Sequence, residues 1–388
     1  MSKYIFIIIV SSIVIISTLF AALLIRYSNR IIWQKAKLDF FARSLPLFAI
    51  AMITLAIFLG YLKLEGAFPF LLVGALLLVL ISVSLIIGLP FSLLSYQAAK
   101  SIKPLDRERR EFIKGFSAAF PLLLSASTVY GIGDSFRKVQ VREVPFYFTD
   151  LRPDLQGLKI LHLSDLHLRL FFSLSDLEKM IPQLMAHKPH LVLITGDIAD
   201  DLKLLPDALK LINQIHFPLG GYISVGNHEY YRGIKEVKRI IDRSAFPFLL
   251  NKGFTFDVGS SKLFIGGLDD PRTLSTENYR FLQDSLDRTL NFDHHSHFKL
   301  IMSHRPMALD VAARYNIDLV LSGHTHGGQV GFNGRSVFEG LVKERYLWGK
   351  YRKGQTQLYT SAGVGQWLPF RLGCPAEAVM IILKRPEN

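Results

Sequence analysis

The chain has 388 residues, room for two or three domains, and half of them are apolar, more than a purely water-soluble protein of this size carries. Its formal charge of +13 is no argument for nucleic acid: residues 1–145 hold 16 Lys and Arg against 7 Asp and Glu, whereas the remainder is nearly balanced at 29 against 25. A single cysteine, Cys374, excludes an internal disulfide framework and any cysteine-based metal site, and reads as a small packed hydrophobe.

Four uncharged stretches come first, Tyr4 to Ile25, Ser44 to Leu62, Gly66 to Ala99 and Gly115 to Gly133. Each reaches the roughly 17 to 20 residues that cross a bilayer core, which predicts transmembrane helices at about 4–25, 44–62, 68–95 and 115–133. The fourth is diluted by Pro121 and several Ser and Thr, so an interfacial helix is its alternative. A cleaved signal peptide is the alternative for the first, but its apolar run is long and no small-residue cleavage site follows. The spans carry no internal charge, which favours anchoring over a transport pathway.

Basic side chains cluster between spans one and two (Arg26, Arg30, Lys35, Lys37, Arg43) and between spans three and four (Lys100, Lys103, Arg107, Arg109, Arg110, Lys114). The loop between spans two and three offers only Lys63 and Glu65. By the positive-inside rule both basic loops are cytoplasmic, so four spans place the chain after Gly133 on the far side. "ERREFIKG" (108–115) also resembles a twin-arginine export signal, with an ordinary basic flank as the plain reading.

Residues 1–135 are therefore expected to form the membrane region and 136–150 a connector with a first strand. From about residue 145 to 388 short apolar runs alternate with helical periodicity. Strands are predicted at 158–163, 190–194 and 221–225, with helices at about 173–187, 202–215 and 234–243. Residues 246–268 read as adjacent strands and hairpins, and further strands are expected at 298–303, 317–322, 356–361 and 376–383. This is the pattern of an α/β domain of more than one sheet.

Ligands of such domains gather beyond the carboxyl ends of the strands. Those positions carry "SDLHL" with Asp165 and His167, "TGDIAD" with Asp197, "VGNHEYY" with Asn227 and His228, "SHRP" with His304, and "SGHTHGGQ" with His324 and His326. Carboxylate, imidazole and amide without thiolate suit two divalent first-row cations such as Mn, Fe or Zn. A carboxylate can touch both cations, and Asp197 is the candidate. Gly196, Gly226 and Gly323 each precede a candidate ligand, where the backbone must turn off a strand close to the cluster. Each motif alone is weak, since an Asp after a strand commonly caps the next helix; five in order are not.

The set D-x-H, GD, GNHE, His, GHTH resembles the calcineurin-like metallophosphoesterase superfamily over about residues 145–388. The resemblance implies a four-layer αββα sandwich with a dinuclear metal centre between its sheets. Residue by residue it implies Asp165, His167 and His326 on one metal, Asn227, His304 and His324 on the other, Asp197 bridging, and His228 as the catalytic acid or orienting group. The reaction implied is in-line attack of metal-activated water on phosphorus, without a phosphoenzyme. GNHE followed by two tyrosines, "SGHTHGGQ" and "GVGQWLPFRLGCPAE" look like the bacterial membrane-associated branch of YaeI/YkuE-like phosphodiesterases. The resemblance extends to a UDP-2,3-diacylglucosamine pyrophosphatase of lipid A synthesis, a reading that needs a cytoplasmic domain. Protein phosphatases of the superfamily carry GDxxDRG; here Asp200 and Asp201 follow, which argues against phosphoserine hydrolysis.

The expectation is a membrane-anchored phosphodiesterase or pyrophosphatase whose substrate is lipid-linked or belongs to the cell envelope. A non-catalytic metal-binding membrane scaffold is the non-enzyme alternative. His294, His295 and His297 read as solvated loop residues rather than an auxiliary metal site, and His162 as a packed strand residue. Trp348, Tyr351 and Trp367 are candidates for a substrate groove, with sheet-edge packing as the plainer reading.

Overall fold

The computed structural model describes residues 3–61, 68–101, 107–169, 171–272, 278–366 and 368–386. Lys63, Glu65, Lys103 and Trp367 lie outside them. The chain divides into two compact units, residues 1–134 and 135–388.

The first unit holds helices α1 (Lys3–Ser28), α2 (Ala36–Tyr61), α3 (Phe68–Lys100) and most of α4 (Arg107–Ser135). All four are long and apolar enough to cross a membrane. α2 starts before its predicted span and α4 begins eight residues earlier than Gly115, because charged flanks continue the helix once the apolar segment has nucleated it. Ala21, Ala42 and Ala49 are fully buried where helices meet, and Gly88 of α3 would place a β-carbon 3.3 Å from Pro121 of α4. Small residues let backbones approach, the usual basis of helix contact in lipid. Ser84 and Ser125 add a hydroxyl pair at 3.2 Å between α3 and α4. Large apolar side chains such as Ile16, Leu47 and Leu122 point outward.

The second unit runs β1 (Gln140–Tyr147), β2 (Lys159–Leu163), α5 (Leu174–Ala186), β3 (Leu191–Thr195), α6 (Leu205–Ile212), β4 (Gly221–Ser224), α7 (Asn227–Arg232), α8 (Ile234–Ile241), β5 (Phe248–Leu249), β6 (Lys252–Val258) and β7 (Ser261–Gly267). It continues with α9 (Asn278–Leu290), β8 (Phe298–Met302), α10 (Ala308–Ala312), β9 (Leu319–Ser322), β10 (Gly331–Phe332), β11 (Arg335–Ser336), β12 (Gly349–Lys353), β13 (Thr356–Thr360) and β14 (Glu377–Lys384). One six-stranded sheet has the order β1-β14-β2-β3-β4-β5, the other β12-β13-β9-β8-β7-β6, and β10-β11 is a separate ribbon.

Strand alternation sorts the side chains into layers. Ile160, Leu191, Leu193 and Ile381 of the first sheet pack against Leu263, Leu300, Met302 and Leu321 of the second, so the sheets face one another across a shared core. On the outer face of the first sheet, Leu161, Leu163, Val192 and Ile194 meet Leu177, Leu184, Leu209 and Val237 of α5, α6 and α8. On the outer face of the second, Phe264, Ile301 and Val320 meet Leu282, Leu286 and Leu309 of α9 and α10. The result is the expected αββα stack of four layers.

α7, α9 and α10 go beyond the expected elements. α7 is only six residues long and starts on a site motif that reads as loop, and α9 carries four charges that blur its apolar face.

Candidate metal centre

The register puts the ends of the site strands level. Leu163 of β2 pairs with Ile194 of β3, and Thr195 with Ser224 of β4; in the other sheet Met302 of β8 pairs with Leu321 of β9. The five motifs leave these strands on one edge, where both sheets contribute. Three groups of side chains converge there with ligand atoms within 4.8 Å of one another: Asp165, His167 and His326; Asp197, His304 and His324; and His167, Asp200 and His228.

Backbone conformation explains how so many short side chains reach one place. Asp165, His167, Asp197, His324 and His326 all have positive φ, between 45° and 72°. This region is uncommon for residues other than glycine, though Asp and His tolerate it better than most, and it turns each side chain back toward the strand ends. The glycines read from sequence are close approaches: a β-carbon on Gly323 would sit 1.9 Å from Ser164 Oγ, and one on Gly226 2.3 Å from Asp197 Oδ1.

Within the first group, His167 Nε2 and His326 Nε2 stand 3.2 Å apart, with Asp165 Oδ1 at 3.8 Å and 3.4 Å from them. Burial drives the His326 imidazole down to about 3, so it is neutral and presents a lone pair to the cluster. In the second group His304 Nδ1 donates to the carbonyl oxygen of Thr195 at 2.7 Å, which turns its Nε2 toward Asp197 Oδ2 at 3.1 Å. Burial opposes a charge on that ring, but Asp197 and Asp165 outweigh it and hold His304 at about 10. The ring is therefore protonated and Nε2–H faces the Asp197 carboxylate, so a positive charge already sits where a cation would lie between them.

His324 has Nε2 against Arg305 Nη1 at 2.5 Å. Arg305 is itself buried, pairing with Asp270 at 3.0 Å and with Glu344 at 3.7 Å. The backbone N–H of His324 donates to Asp165 Oδ2 at 3.0 Å, a tie between the two sheets. Asn227 opens α7, its Oδ1 buried without a hydrogen bond, and the neighbouring His228 N–H donates to Asp197 Oδ1 at 2.9 Å. Buried polar atoms without partners, Asn227 Oδ1 and His326 Nδ1, beside a His304 ring held charged by two carboxylates, are the condition that bound cations relieve. The donor set therefore fits divalent metal ions.

Two acidic residues with structural parts in the site are absent from the sequence-derived set. Asp200 Oδ1 accepts from His228 Nδ1 at 2.6 Å and from Arg232 at 3.0 Å, and Asp200 Oδ2 lies 3.4 Å from His167 Nδ1. Burial would raise Asp200, but the two histidines hold its carboxyl far below the usual range. Glu229 is buried and accepts from the backbone N–H groups of Gly226, Asp197 and Ile198 at 2.8 to 2.9 Å, fixing the turn that carries Asp197. Burial and the nearby Asp197 raise its carboxyl. The GNHE motif contains Glu229 and "TGDIAD" contains Asp200, so both were within the quoted stretches.

The other tempting residues take the bland roles. His162 is buried, with Nε2 at 2.8 Å from Thr195 Oγ1, and burial lowers it to about 3. His297 Nδ1 accepts from Lys262 N–H at 2.9 Å in the loop before β8. Trp348 is buried and donates to Glu377 Oε1 at 3.0 Å, and Tyr351 donates to Glu339 at 2.6 Å, so both pack.

A sandwich of two facing sheets with clustered Asp and His at its strand ends has the architecture of a metal-dependent hydrolase. A family model described as calcineurin-like phosphoesterase matches residues 158–328. An uncharacterized metallophosphoesterase of Campylobacter jejuni is 32% identical over 270 residues, 68% of each chain. The uncharacterized metallophosphoesterase YkuE of Bacillus subtilis is 30% identical over 291 residues, 71% of this chain and 97% of its own. A transmembrane protein with metallophosphoesterase domain from Bos taurus is 25% identical over 306 residues, 76% of this chain and 68% of its own. The chain belongs to the calcineurin-like metallophosphoesterase family.

Proposed function

We propose that the protein is a membrane-anchored hydrolase that uses two divalent cations, Mn, Fe or Zn, to cleave a phosphodiester or pyrophosphate bond. Its catalytic domain lies outside the cytoplasm and its substrate is lipid-linked or part of the cell envelope. The observation that carries the reading is the buried convergence of Asp165, His167 and His326 and of Asp197, His304 and His324, the ligand atoms of each group within 4.8 Å of one another. Asp165, His167 and His326 would hold one cation, Asn227, His304 and His324 the other, and Asp197 would bridge. When bound, the cations supply Lewis acidity to the phosphoryl oxygens and lower the pKa of water.

The chain's own part is orientation and proton transfer. His228 is the histidine of the cluster most open to solvent, its side chain 21% exposed, so its ring can reach a substrate. His228 Nδ1–H donates to Asp200, which leaves Nε2 to steady the phosphoryl group or protonate the leaving oxygen, worth typically ~10² to 10⁴-fold. A scaffold has no use for this pair. Two basic loops, one between the first and second apolar helices and one between the third and fourth, support the extracytoplasmic side.

The test uses the full-length protein, metal analysis and bis-p-nitrophenyl phosphate. Asp197→Ala is expected to lose both metal and turnover, and His228→Ala to keep metal while turnover falls by ~10² or more. Full hydrolysis by either variant sinks the reading, and protease accessibility of the domain in intact cells decides the side.

A further inference from the structure

The strand register places more than the metal ligands on the site edge. β1 runs parallel to β14, with Gln140 opposite Glu377, and β14 runs antiparallel to β2, with Val379 opposite His162. Continuing that register, Gln140 stands level with Ser164, the residue before Asp165. Only residues 136–139 separate β1 from Ser135, the last residue of the apolar helix α4. The chain thus enters the domain at the edge that carries the metal centre.

The segment from 332 to 345 lies on this edge too, because Gly349, just after it, pairs with Thr360, and Thr360 with Ser322. Its chemistry is unusual for a water-facing loop. Phe332 is 81% exposed and Leu341 78%, and Val337, Phe338 and Val342 are exposed beside them. Arg335, Lys343 and Arg345 are exposed on the same segment. Its two acids have partners within the domain: Glu339, though exposed, accepts from Tyr346 N–H, Leu347 N–H and Tyr351 Oη, and Glu344 faces Arg305 and His324.

The loop is braced, so the apolar side chains are held out. Asn333 and Gly334 form the left-handed tip of the β10-β11 ribbon, and Thr325 Oγ1 donates to the Leu347 carbonyl at 2.5 Å. A second amphipathic feature adjoins the chain entry, a cavity of about 630 Å³ walled by Phe136, Phe171, Phe172 and Met180 with Lys138 and Lys179. Exposed apolar side chains interspersed with cations are the composition of a surface that enters the headgroup layer.

We propose that this edge is a membrane-contacting surface, with Phe332, Leu341 and Val342 inserted among anionic lipid headgroups and Lys343 and Arg345 paired with their phosphates. The occupant is the bilayer that anchors the chain, since the segment leaves the same edge by which the chain arrives from α4. The candidate metal centre then opens at the headgroup layer: Glu344, two residues from Val342, stands 3.8 Å from His324. This inference rests on membrane anchoring and not on which phosphoester is cleaved.

The test places full-length Leu341→Cys protein, labelled with an environment-sensitive fluorophore, in nanodiscs of phosphatidylcholine with or without phosphatidylglycerol. Lys210→Cys on α6, a strongly exposed position, is the control; the native cysteine is buried. The expected result is shorter-wavelength emission and protection from aqueous iodide at 341 but not at 210, greatest with phosphatidylglycerol. Adding Lys343→Glu and Arg345→Glu should return the 341 label toward its phosphatidylcholine value. A 341 label as open to iodide as the 210 label in both nanodiscs overturns the proposal and leaves the patch to a protein partner. Protection equal in both lipids overturns the anionic pairing. Hydrolysis of bis-p-nitrophenyl phosphate by Leu341→Cys is expected to equal that of the parent chain; its absence in both would count against the proposed activity and leave the fluorescence result standing.

Discussion

Asp200 Oδ1 lies 2.6 Å from His228 Nδ1, while the other oxygen of the same carboxylate lies 3.4 Å from His167 Nδ1. One side chain thereby orients the ring proposed for proton transfer and a ring proposed for metal binding. Asp200→Asn keeps the shape but can no longer accept at both oxygens. Turnover of a phosphodiester is expected to fall by about 10 to 100-fold, with metal content reduced less than in Asp197→Ala. Parallel metal analysis and steady-state kinetics check this, and unchanged kcat would remove the orienting role.

Gly323 is packed so tightly against Ser164 and Asp165 that a methyl group must displace one of them. Gly323→Ala is expected to lower stability by about 1 to 3 kcal/mol and to weaken metal retention, because the atom displaced is a candidate ligand. Thermal unfolding with and without added Mn²⁺ measures both, and a variant that retains metal as the parent does contradicts the close approach.

Asp318 ends the turn before β9 and accepts from Lys299 N–H at 2.7 Å, yet burial raises its carboxyl to about 6. The raised value means that folding favours the protonated form. That contribution is complete below the unfolded pKa near 4 and is lost as pH rises through about 6. Asp318→Asn keeps the acceptor and removes the charge, so it is expected to gain ~1 to 3 kcal/mol relative to the parent at pH 8 and much less at pH 4. Melting temperatures across that range are the measurement; an equal gain at both ends contradicts the assignment.

Cys374 is fully buried, its thiol pushed up to about 12 by burial, with Arg371 opposing and Glu377 adding. The native protein is expected to resist maleimide at pH 8 and to react once unfolded. Mass spectrometry before and after denaturation shows which holds.

The sheets and the long apolar helices were legible because period-two and long apolar patterns are local properties of the chain. β2, β3, β4, β8 and β9 fall within a residue or two of the strands expected from Leu158, His190, Gly221, Phe298 and Ile317. The five motifs were legible for a related reason: each directly follows a strand, so its place in space follows from its place in sequence. The supporting residues were harder to see. Asp200 and Glu229 lie inside the quoted motifs without a role assigned to them, and their part emerges only when β3 and β4 are set side by side. Arg305 carries no signal of its own in the sequence, because its partner Asp270 is 35 residues away and meets it only in the fold. The apolar loop at Leu341 was invisible to pattern reading, since its exposure depends on what the rest of the domain leaves uncovered.

Left-handed backbone at Asp165, His167, Asp197, His324 and His326 has a consequence for the order in which the protein fails. Each such residue stores on the order of 1 kcal/mol that the surrounding sandwich must restrain. Heat, or a destabilising change far away in the core between the sheets, should release these loops before the sheets separate. Activity is then lost at temperatures where the domain is still folded, and recovery on cooling needs only the strand-end loops to close again.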